Sequence, residues 1–345
     1  VGADLGGRVG EYETPMHFRG LISQVRLYWG ALIQRMPGPD GKISKRSFRH
    51  VEPDPDERGF DSVREPCGVS ILAPTGKPVL RYVTARPVAT KLTANSVCCL
   101  HPVRTPSGKV LTAFAPADHL HHRGVFLAWY ALAAGDVKAD FWGWGKFAPT
   151  DGRVIEARAI RFEGRKEGPR LTVKNDWNVN GGTLIDEELQ TTVRRQGAAN
   201  VIDLRYELIP RADVTLDRGA FGGFCVRMRK DGQITFTGPE GKVALPWPHH
   251  LKPETDWPAA DWYDLSIELG SGKTVGVAVL DHPNNPPTAW HNLARLGMIN
   301  PCVVAKGPVT LEKEEPFVLR YRLVVHDGPA PLELLGKLSE EWRAE

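Results

Sequence analysis

A polar run in the first half of the chain has residue types suited to acid–base or metal chemistry. It reads Asp118-His119-Leu120-His121-His122-Arg123. On an extended backbone, two imidazoles two positions apart share a face, where they could bind a divalent metal ion or exchange protons near neutral pH. Arg123 could bind a carboxylate or a developing oxyanion. We predict His121 and His122 as catalytic and Arg123 as substrate-binding. His119 and His121 are the candidate metal pair, and the residues leave metal or acid–base chemistry open.

A second segment places tryptophans beside carboxylates. It runs from Asp136 to Gly145 and contains Asp140, Trp142 and Trp144. An indole face stacks on the C–H bonds of a sugar and carboxylates bind its hydroxyls, although tryptophan is also commonly buried in a core. We predict Asp140 as catalytic and the two tryptophans as substrate-binding.

A third segment combines an acid, histidines and a tryptophan. Asp281-His282-Pro283-Asn284-Asn285-Pro286 is followed by Trp290-His291 and then Asn300-Pro301. Such a segment after a strand belongs in a loop at a sheet end, where functional groups gather. We predict Asp281 and His282 as catalytic, and Trp290 and His291 as substrate-binding. The alternative is an Asx-Pro turn with a structural histidine. A further pair, His249-His250, is a weaker candidate.

One motif is misleading. Gly270-Ser271-Gly272-Lys273-Thr274 is similar to the end of a phosphate-binding loop, but Ile267 stands where that motif needs glycine. An apolar strand-like segment follows it rather than a helix whose N-terminus could hold phosphate. We predict a hairpin turn.

Bulk properties exclude several classes of protein. A net charge of +3, with lysine and arginine scattered along 345 residues, argues against a nucleic-acid partner. No apolar run is long enough for a membrane-spanning helix. The five cysteines form no CxxC pair and are predicted to be free thiols. The chain begins with Val, and its first residues lack the basic start and apolar stretch of a signal peptide.

The elements that must position these residues are short strands. Several segments alternate apolar and polar residues with period two, most clearly 201–208, and glycines and prolines separate them. The others are 154–162, 171–179, 184–193, 223–228, 263–269, 275–280 and 317–325. Strands this numerous predict an all-β fold, a large antiparallel β-sandwich. Leu332, Leu335, Leu338 and Trp342 recur at helical spacing and predict a short C-terminal helix.

The N-terminal part differs from the rest in composition. Residues 37–66 are rich in Pro, Gly and charge and are predicted as a linker before a β-sandwich domain at 67–345. Residues 1–36 are predicted to supply one or more strands. The stretch from Met16 to Leu32 resembles the last strand of a laminin-G or concanavalin-like jelly roll, which implies a remnant of such a module.

The polar motifs together resemble the PmoA-like family, a bacterial domain family of unknown function, over about residues 67–326. The resemblance rests on Asp118–Gly124, Asp140–Trp142, Asp281–Pro286, and Trp290-His291 with Asn300-Pro301. It departs from the family pattern at Leu120, at Ala220–Gly223 and at Asn292-Leu293. The resemblance implies a galactose-mutarotase-like supersandwich and a role in bacterial glycan breakdown, which favours a periplasmic or secreted location.

The hypothesis that follows is a carbohydrate-active enzyme that cleaves a glycosidic bond. Elimination would use a neutral histidine and a cation, whereas hydrolysis would use two carboxylates, here Asp140 and Asp281. The alternatives are a non-catalytic sugar-binding module and a metal-dependent sugar isomerase or oxidase. A carbohydrate is the expected partner, and the sequence does not define the cofactor or the oligomeric state.

Overall fold

The structure is a computed structural model that describes residues 35–37, 43–45, 59–164, 168–243, 252, 256–270 and 272–345. The chain divides into two compact units, Val1–Asp54 and Pro55–Glu345. In the described part of the first unit, two short strands pair antiparallel. The predicted jelly-roll remnant, residues 16–32, and the pair His249-His250 lie outside the described residues.

The elements follow one another in chain order as strands, one short 3-10 helix and a final α-helix. They are β1 (Arg35–Pro37), β2 (Ile43–Lys45), β3 (Asp61–Glu65), β4 (Gly68–Leu72), β5 (Pro78–Val83), β6 (Cys99–Val103), β7 (Val125–Ala128), β8 (Leu132–Ala134), β9 (Val137–Ala139), β10 (Arg153–Glu163), β11 (Arg170–Val179), β12 (Gly182–Gln196), β13 (Ala199–Pro210), β14 (Val214–Leu216), β15 (Gly223–Arg227), β16 (Gly232–Gly238), β17 (Gly241–Val243), β18 (Trp262–Leu269), β19 (Thr274–Asp281), β20 (Ala289–Trp290), a 3-10 turn (Ala294–Leu296), β21 (Met298–Ile299), β22 (Pro301–Cys302), β23 (Val309–Leu311), β24 (Phe317–Asp327) and α1 (Leu332–Ala344).

Two large sheets dominate the second unit, beside a four-stranded sheet (β23-β14-β8-β9) and the pair β20-β22. One has the order β10-β11-β12-β13-β24-β19-β18-β16-β17, and the other has the order β21-β15-β7-β6-β5-β4-β3. Their inner faces share one apolar core. Phe224 of β15 stacks on Tyr321 of β24 with ring centroids 4.0 Å apart, so side chains of the two sheets interdigitate. The predicted all-β antiparallel sandwich is confirmed.

The period-two pattern correctly predicted the long strands. In β13 the side chains of Ile202, Leu204, Tyr206 and Leu208 are buried, whereas the residues between them are half-exposed. The predicted turn at 270–274 is also confirmed, because β18 and β19 pair antiparallel on either side of it.

The predicted C-terminal helix is present as α1, and it covers the outer face of the nine-stranded sheet. Leu335, Leu338 and Trp342 pack there in a second apolar cluster. Leu332 starts the helix but is 51% exposed. The buried guanidinium of Arg322 on β24 lies 4.1 Å from the Trp342 ring centroid and donates to the Leu338 carbonyl, which fixes the helix on the sheet.

The predicted domain limits at residues 36 and 66 stay a prediction. Strand β3 of the seven-stranded sheet begins at Asp61, inside the segment predicted as linker. Within the described ranges, no helix is long and apolar enough to span a membrane.

Candidate active site

A cavity of about 160 Å³ lies where three separate chain segments meet beside the seven-stranded sheet. Its described lining residues are His119, His121, His122, Trp142, Trp144, Phe221, His291, Leu293, Arg295, Leu296 and Met298. Members of all three segments singled out from the sequence therefore line one cavity.

Neighbouring strands bring these segments together. Strand β15 pairs with β7 on one side and with β21 on the other. Because side chains alternate along a strand and Phe224 points into the core, its neighbour Cys225 and the paired Phe126 point to the opposite face. Phe126 contacts the rings of His122 and Trp142 there, at 6.3 and 4.7 Å between centroids. The cavity thus lies beside β7 and β15, next to Phe126.

Three imidazoles form one wall. The rings of His119 and His122 are stacked, with centroids 4.8 Å apart and planes at 25°. His121 stands edge-on to His122 at 4.6 Å. His121 and His122 are buried, whereas the His119 side chain is about one-third exposed. This places the two predicted catalytic histidines deeper than the predicted metal ligand His119.

Burial keeps these imidazoles neutral. Burial, with help from the neighbouring charges of His119 and Arg123, lowers the pKa of His121 from 6.5 to about 4. Burial, followed by the neighbouring His121 and Arg227, holds the pKa of His122 far below its ordinary value. At neutral pH each ring therefore carries one N–H and one nitrogen lone pair, the state in which an imidazole can accept a proton.

An ion pair between a buried arginine and a partly exposed aspartate lies beside the imidazoles. Arg227 at the end of β15 is fully buried, and its Nη2 donates to both carboxylate oxygens of Asp118 at 2.7 and 2.8 Å. Lys230 also contacts Asp118. Although burial opposes it, hydrogen bonding to these two cations holds the pKa of Asp118 well below its ordinary value. Asp118 is consequently a counter-ion of Arg227.

Arg123 acts inside the protein. Its Nη1 donates to the carbonyl of Trp142 at 3.1 Å and its Nη2 to the carbonyl of Phe141 at 3.2 Å. The guanidinium lies 4.4 Å from the centroid of Phe126 and is fully buried. Arg123 is not among the lining residues of the cavity. Its hydrogen bonds instead connect the histidine segment to the tryptophan segment.

Asp140 holds the loop that carries Trp144. Its carboxylate accepts the backbone N–H groups of Gly143, Trp144 and Gly145 at 2.7, 3.0 and 2.6 Å. Gly143 has a φ of +98°, and a Cβ there would lie 2.5 Å from the Cβ of Ala94. Burial raises the pKa of Asp140 despite these bonds. Asp140 does not line the cavity.

Asp281 and His282 lie apart from the cavity lining. Asp281 ends β19 in the nine-stranded sheet and accepts from Asn285 Nδ2 at 2.6 Å and Thr288 Oγ1 at 2.8 Å. Burial raises its pKa to about 6. The ring of His282 stands edge-on to Trp342 of α1, with centroids 4.9 Å apart. The His282 ring therefore lies on the helix-covered side of the sheet.

Trp290 and His291 are adjacent but have different surroundings. Trp290 is buried, and its Nε1 donates to the Ala260 carbonyl while its ring packs against Tyr263. His291 lines the cavity and lies 5.5 Å from Phe221 between ring centroids. Of the two predicted binding residues, His291 alone lines this cavity.

Asn300 fixes the position of Phe221. Its side-chain amide donates to the Gly222 carbonyl at 3.0 Å and accepts the N–H of Gly222 at 3.2 Å. It also donates to the carbonyl of Phe224. The segment before β15 is thus tied to the segment after β21.

The described residues offer no group of three or more His, Cys, Asp or Glu side chains arranged to hold a metal ion. The pair His119 and His121 lies 5.6 Å apart between ring centroids. A metal there stays a prediction that needs a further ligand.

Sequence reasoning missed several residues of the site. Phe221, Leu293, Arg295, Leu296 and Met298 line the cavity. Phe221 lies in a stretch singled out only as a departure from a family pattern. Arg227 opens the longest basic cluster of the chain, which was a usable signal.

A second cavity, of about 360 Å³, lies between β5 and the 105–106 turn. It contains Lys77 and Arg195, and its buried polar side chains Thr105 and Asn200 have hydrogen-bond partners. It has no histidine or carboxylate among its described lining residues. The histidine cavity is therefore the better candidate for chemistry.

Known structures resemble the chain at low identity. An α-galactosidase from Lactobacillus brevis matches at 10% identity and a TM-score of 0.36, over 78% of this chain and 40% of that one. A galactose mutarotase related enzyme from Lactobacillus acidophilus matches at 8% identity and a TM-score of 0.34, over 77% of this chain and 97% of that one. The galactosidase domain of an α-galactosidase-sucrose kinase matches at 8% identity and a TM-score of 0.38, over 79% and 41%. This chain thus spans less than half the length of the two galactosidases. No protein with a curated description matches it in sequence.

The family comparison corrects the resemblance drawn from the motifs. The PmoA-like assignment is wrong, because a different family matches 71–339, the greater part of the chain. That match starts well after the N-terminal stretch, and nothing supports the laminin-G or concanavalin-like resemblance there. The chain belongs to DUF6807, a family of unknown function.

Proposed function

We propose that this chain is a carbohydrate-active enzyme that cleaves a glycosidic bond by elimination, with His121 and His122 moving the proton. The observation that carries the proposal is the composition of the cavity. Neutral imidazoles form one wall, aromatic rings and Arg295 form others, and no carboxylate occurs among the described lining residues.

These groups can supply every proton transfer that the elimination requires. An imidazole nitrogen takes the proton from the carbon next to a carbonyl or carboxylate of the sugar. The electron pair of that C–H bond forms a C=C bond as the neighbouring C–O bond breaks. The leaving oxygen takes a proton from an imidazole N–H. Arg295, at the cavity wall, contributes positive charge towards the developing enolate.

Hydrolysis with two carboxylates has weaker support. It needs two carboxyl groups on either side of the scissile bond. The carboxylate of Asp140 accepts three backbone N–H groups, and Asp281 is bonded to Asn285 and Thr288. Neither lines the cavity with the histidines.

The test is a panel of uronic-acid-containing glycans and oxidised glycosides incubated with the folded protein. The expected product has a new C=C bond, which ultraviolet absorbance detects. Because elimination adds no water, the masses of the products should sum to the mass of the intact substrate. Products whose summed mass exceeds that of the substrate by one water would show that the reaction is hydrolysis and not elimination. No product from any member of the panel would overturn an enzymatic role.

A non-catalytic sugar-binding module is the second candidate, because Trp142 and Trp144 both line the cavity. It predicts sugar binding that survives His121→Ala and His122→Ala and is lost on Trp142→Ala or Trp144→Ala. The metal-dependent isomerase or oxidase remains a third candidate, and it requires a transition metal in elemental analysis of the purified protein.

A further inference from the structure

An aromatic surface continues outward from the cavity. It consists of Tyr130, Trp144, Phe147 and Phe221, and we call it the aromatic ledge. Tyr130 lies 4.6 Å from Phe221 and 5.2 Å from Phe147 between ring centroids. Trp144 lies 5.3 Å from each of those two phenylalanines. Trp144 and Phe221 belong both to the ledge and to the cavity lining, so the two surfaces are continuous.

The outer end of the ledge is open to solvent. The side chain of Phe147 is 57% exposed and that of Trp144 is 38% exposed. Large apolar side chains exposed next to one another on a folded protein commonly mark a binding surface.

The ledge is held in place rather than loosely attached. The three backbone N–H groups of 143–145 all bond the buried carboxylate of Asp140. That carboxylate fixes the loop between the buried Trp142 and the exposed Phe147. A rigid aromatic surface loses little conformational entropy when a ligand covers it.

A cation lies at the same place. The ammonium of Lys146 is 5.2 Å from the Trp144 centroid and 5.6 Å from the Phe147 centroid. An occupant that carries oxygen atoms around an apolar ring face fits this combination, because its edge can meet the ammonium while its face meets the rings.

We infer that the aromatic ledge is a second ring-binding subsite, so that the substrate is an oligosaccharide with one ring in the cavity and the next ring on the ledge. The inference rests on the proposed sugar-directed function. The cavity volume of about 160 Å³ is well under the several hundred Å³ of pockets that enclose drug-sized ligands, which fits one ring.

The test compares sugars of one, two and three rings on wild-type protein and on Phe147→Ala. The probes come from the glycan panel, and each oligosaccharide is compared with the monosaccharide from which it is built. Binding is measured by calorimetry. Leu332→Ala is the control, since Leu332 is also an exposed apolar side chain but begins the C-terminal helix. Circular dichroism verifies that both variants are folded.

We expect two-ring sugars to bind wild-type protein more tightly than one-ring sugars. Phe147→Ala should weaken two-ring binding by about three- to tenfold and leave one-ring binding unchanged, in line with the loss of one aromatic contact. Leu332→Ala should change neither affinity.

Three results would overturn the subsite. One is binding that does not depend on the number of rings. Another is an equal loss of one-ring and two-ring binding in Phe147→Ala. The third is a concentration-dependent dimer that Phe147→Ala dissociates, because the ledge would then contact a second copy. Binding of no sugar of any length would instead overturn the proposed function itself.

Discussion

The ring of His122 stands edge-on to the indole of Trp142, with centroids 5.6 Å apart and planes at 87°. Both side chains are almost entirely buried, although both line the cavity. The contact joins the histidine wall of the cavity to its tryptophan wall. It also removes water from the imidazole, and burial is the main reason that the pKa of His122 is low.

Activity should persist to unusually low pH for a histidine base. His121 accepts a proton only while neutral, and its pKa of about 4 keeps it neutral well below the ordinary 6.5. With a substrate from the glycan panel, kcat/KM should stay level from neutral pH down to about pH 4 and fall below it. Circular dichroism at each pH distinguishes this fall in kcat/KM from acid unfolding of the protein. A fall centred on the ordinary histidine pKa would assign the base to another group.

His121→Ala should remove most of the activity. General acid–base catalysis by one side chain contributes about 10²- to 10⁴-fold, so kcat should fall by that order. KM should change little, because the aromatic wall remains. The matched control is His101→Ala, a histidine that bonds Thr112 and does not line the cavity. Equal activity of wild type and His121→Ala would eliminate His121 as the base.

Asp140→Ala should loosen the aromatic ledge. Three partly buried N–H groups lose their acceptor, and a hydrogen bond to a charged group contributes about 1.5–3 kcal/mol to the free energy of unfolding. KM for two-ring sugars should rise, while the pH dependence of kcat/KM keeps its shape. Asp136→Ala, an exposed carboxylate earlier in the same segment, serves as control. Loss of kcat with unchanged KM would instead make Asp140 a catalytic residue.

Asp118→Ala should destabilise the protein by leaving Arg227 buried without a counter-ion. Breaking a fully buried pair costs about 3–5 kcal/mol, and the partial exposure of Asp118 reduces this to about 2–3 kcal/mol in urea unfolding. Since the pKa of Asp118 is lowered in the folded state, its contribution is complete above the ordinary Asp value and is lost as the pH falls below it. Asp231→Ala, which removes an exposed partner of Arg229, should cost less than about 0.5 kcal/mol.

Asp281→Asn should leave activity unchanged and alter the pH dependence of stability. The folded-state pKa of Asp281 is raised to about 6 from 3.8, so the folded protein retains a proton that the unfolded chain has already lost. Stability therefore declines as the pH rises from about 4 to about 6, and the asparagine variant should lack this decline. Reduced activity in this variant would place Asp281 in the catalytic machinery after all.

The strands were predictable because one face of each sheet is buried. In β13 the alternation of apolar and polar residues follows directly from that one-sided burial. Helix α1 was predictable for the same reason at a different period, with Leu335, Leu338 and Trp342 on its buried face. The identity of the family was not, since short polar motifs were matched to the wrong one.

The site was predictable only where its residues are close in sequence. His121, His122 and Trp142 lie near one another in the chain and in space. His282 and His291 looked equivalent, because both follow the same strand. They separate because β19 lies in the nine-stranded sheet, whereas the chain after Trp290 crosses to β21 of the other sheet. A local pattern does not reveal which sheet the next strand joins.

The Arg123 guanidinium has a consequence for how this cavity can change. By bonding the carbonyls of Phe141 and Trp142, it makes the histidine wall and the tryptophan wall a single rigid piece. The wall at 291–298, which includes Leu293, Leu296 and Met298, contributes no atom to these hydrogen bonds. Under the proposed function, we therefore expect substitutions in that wall to alter which sugar the cavity accepts while the Arg123 bonds stay in place.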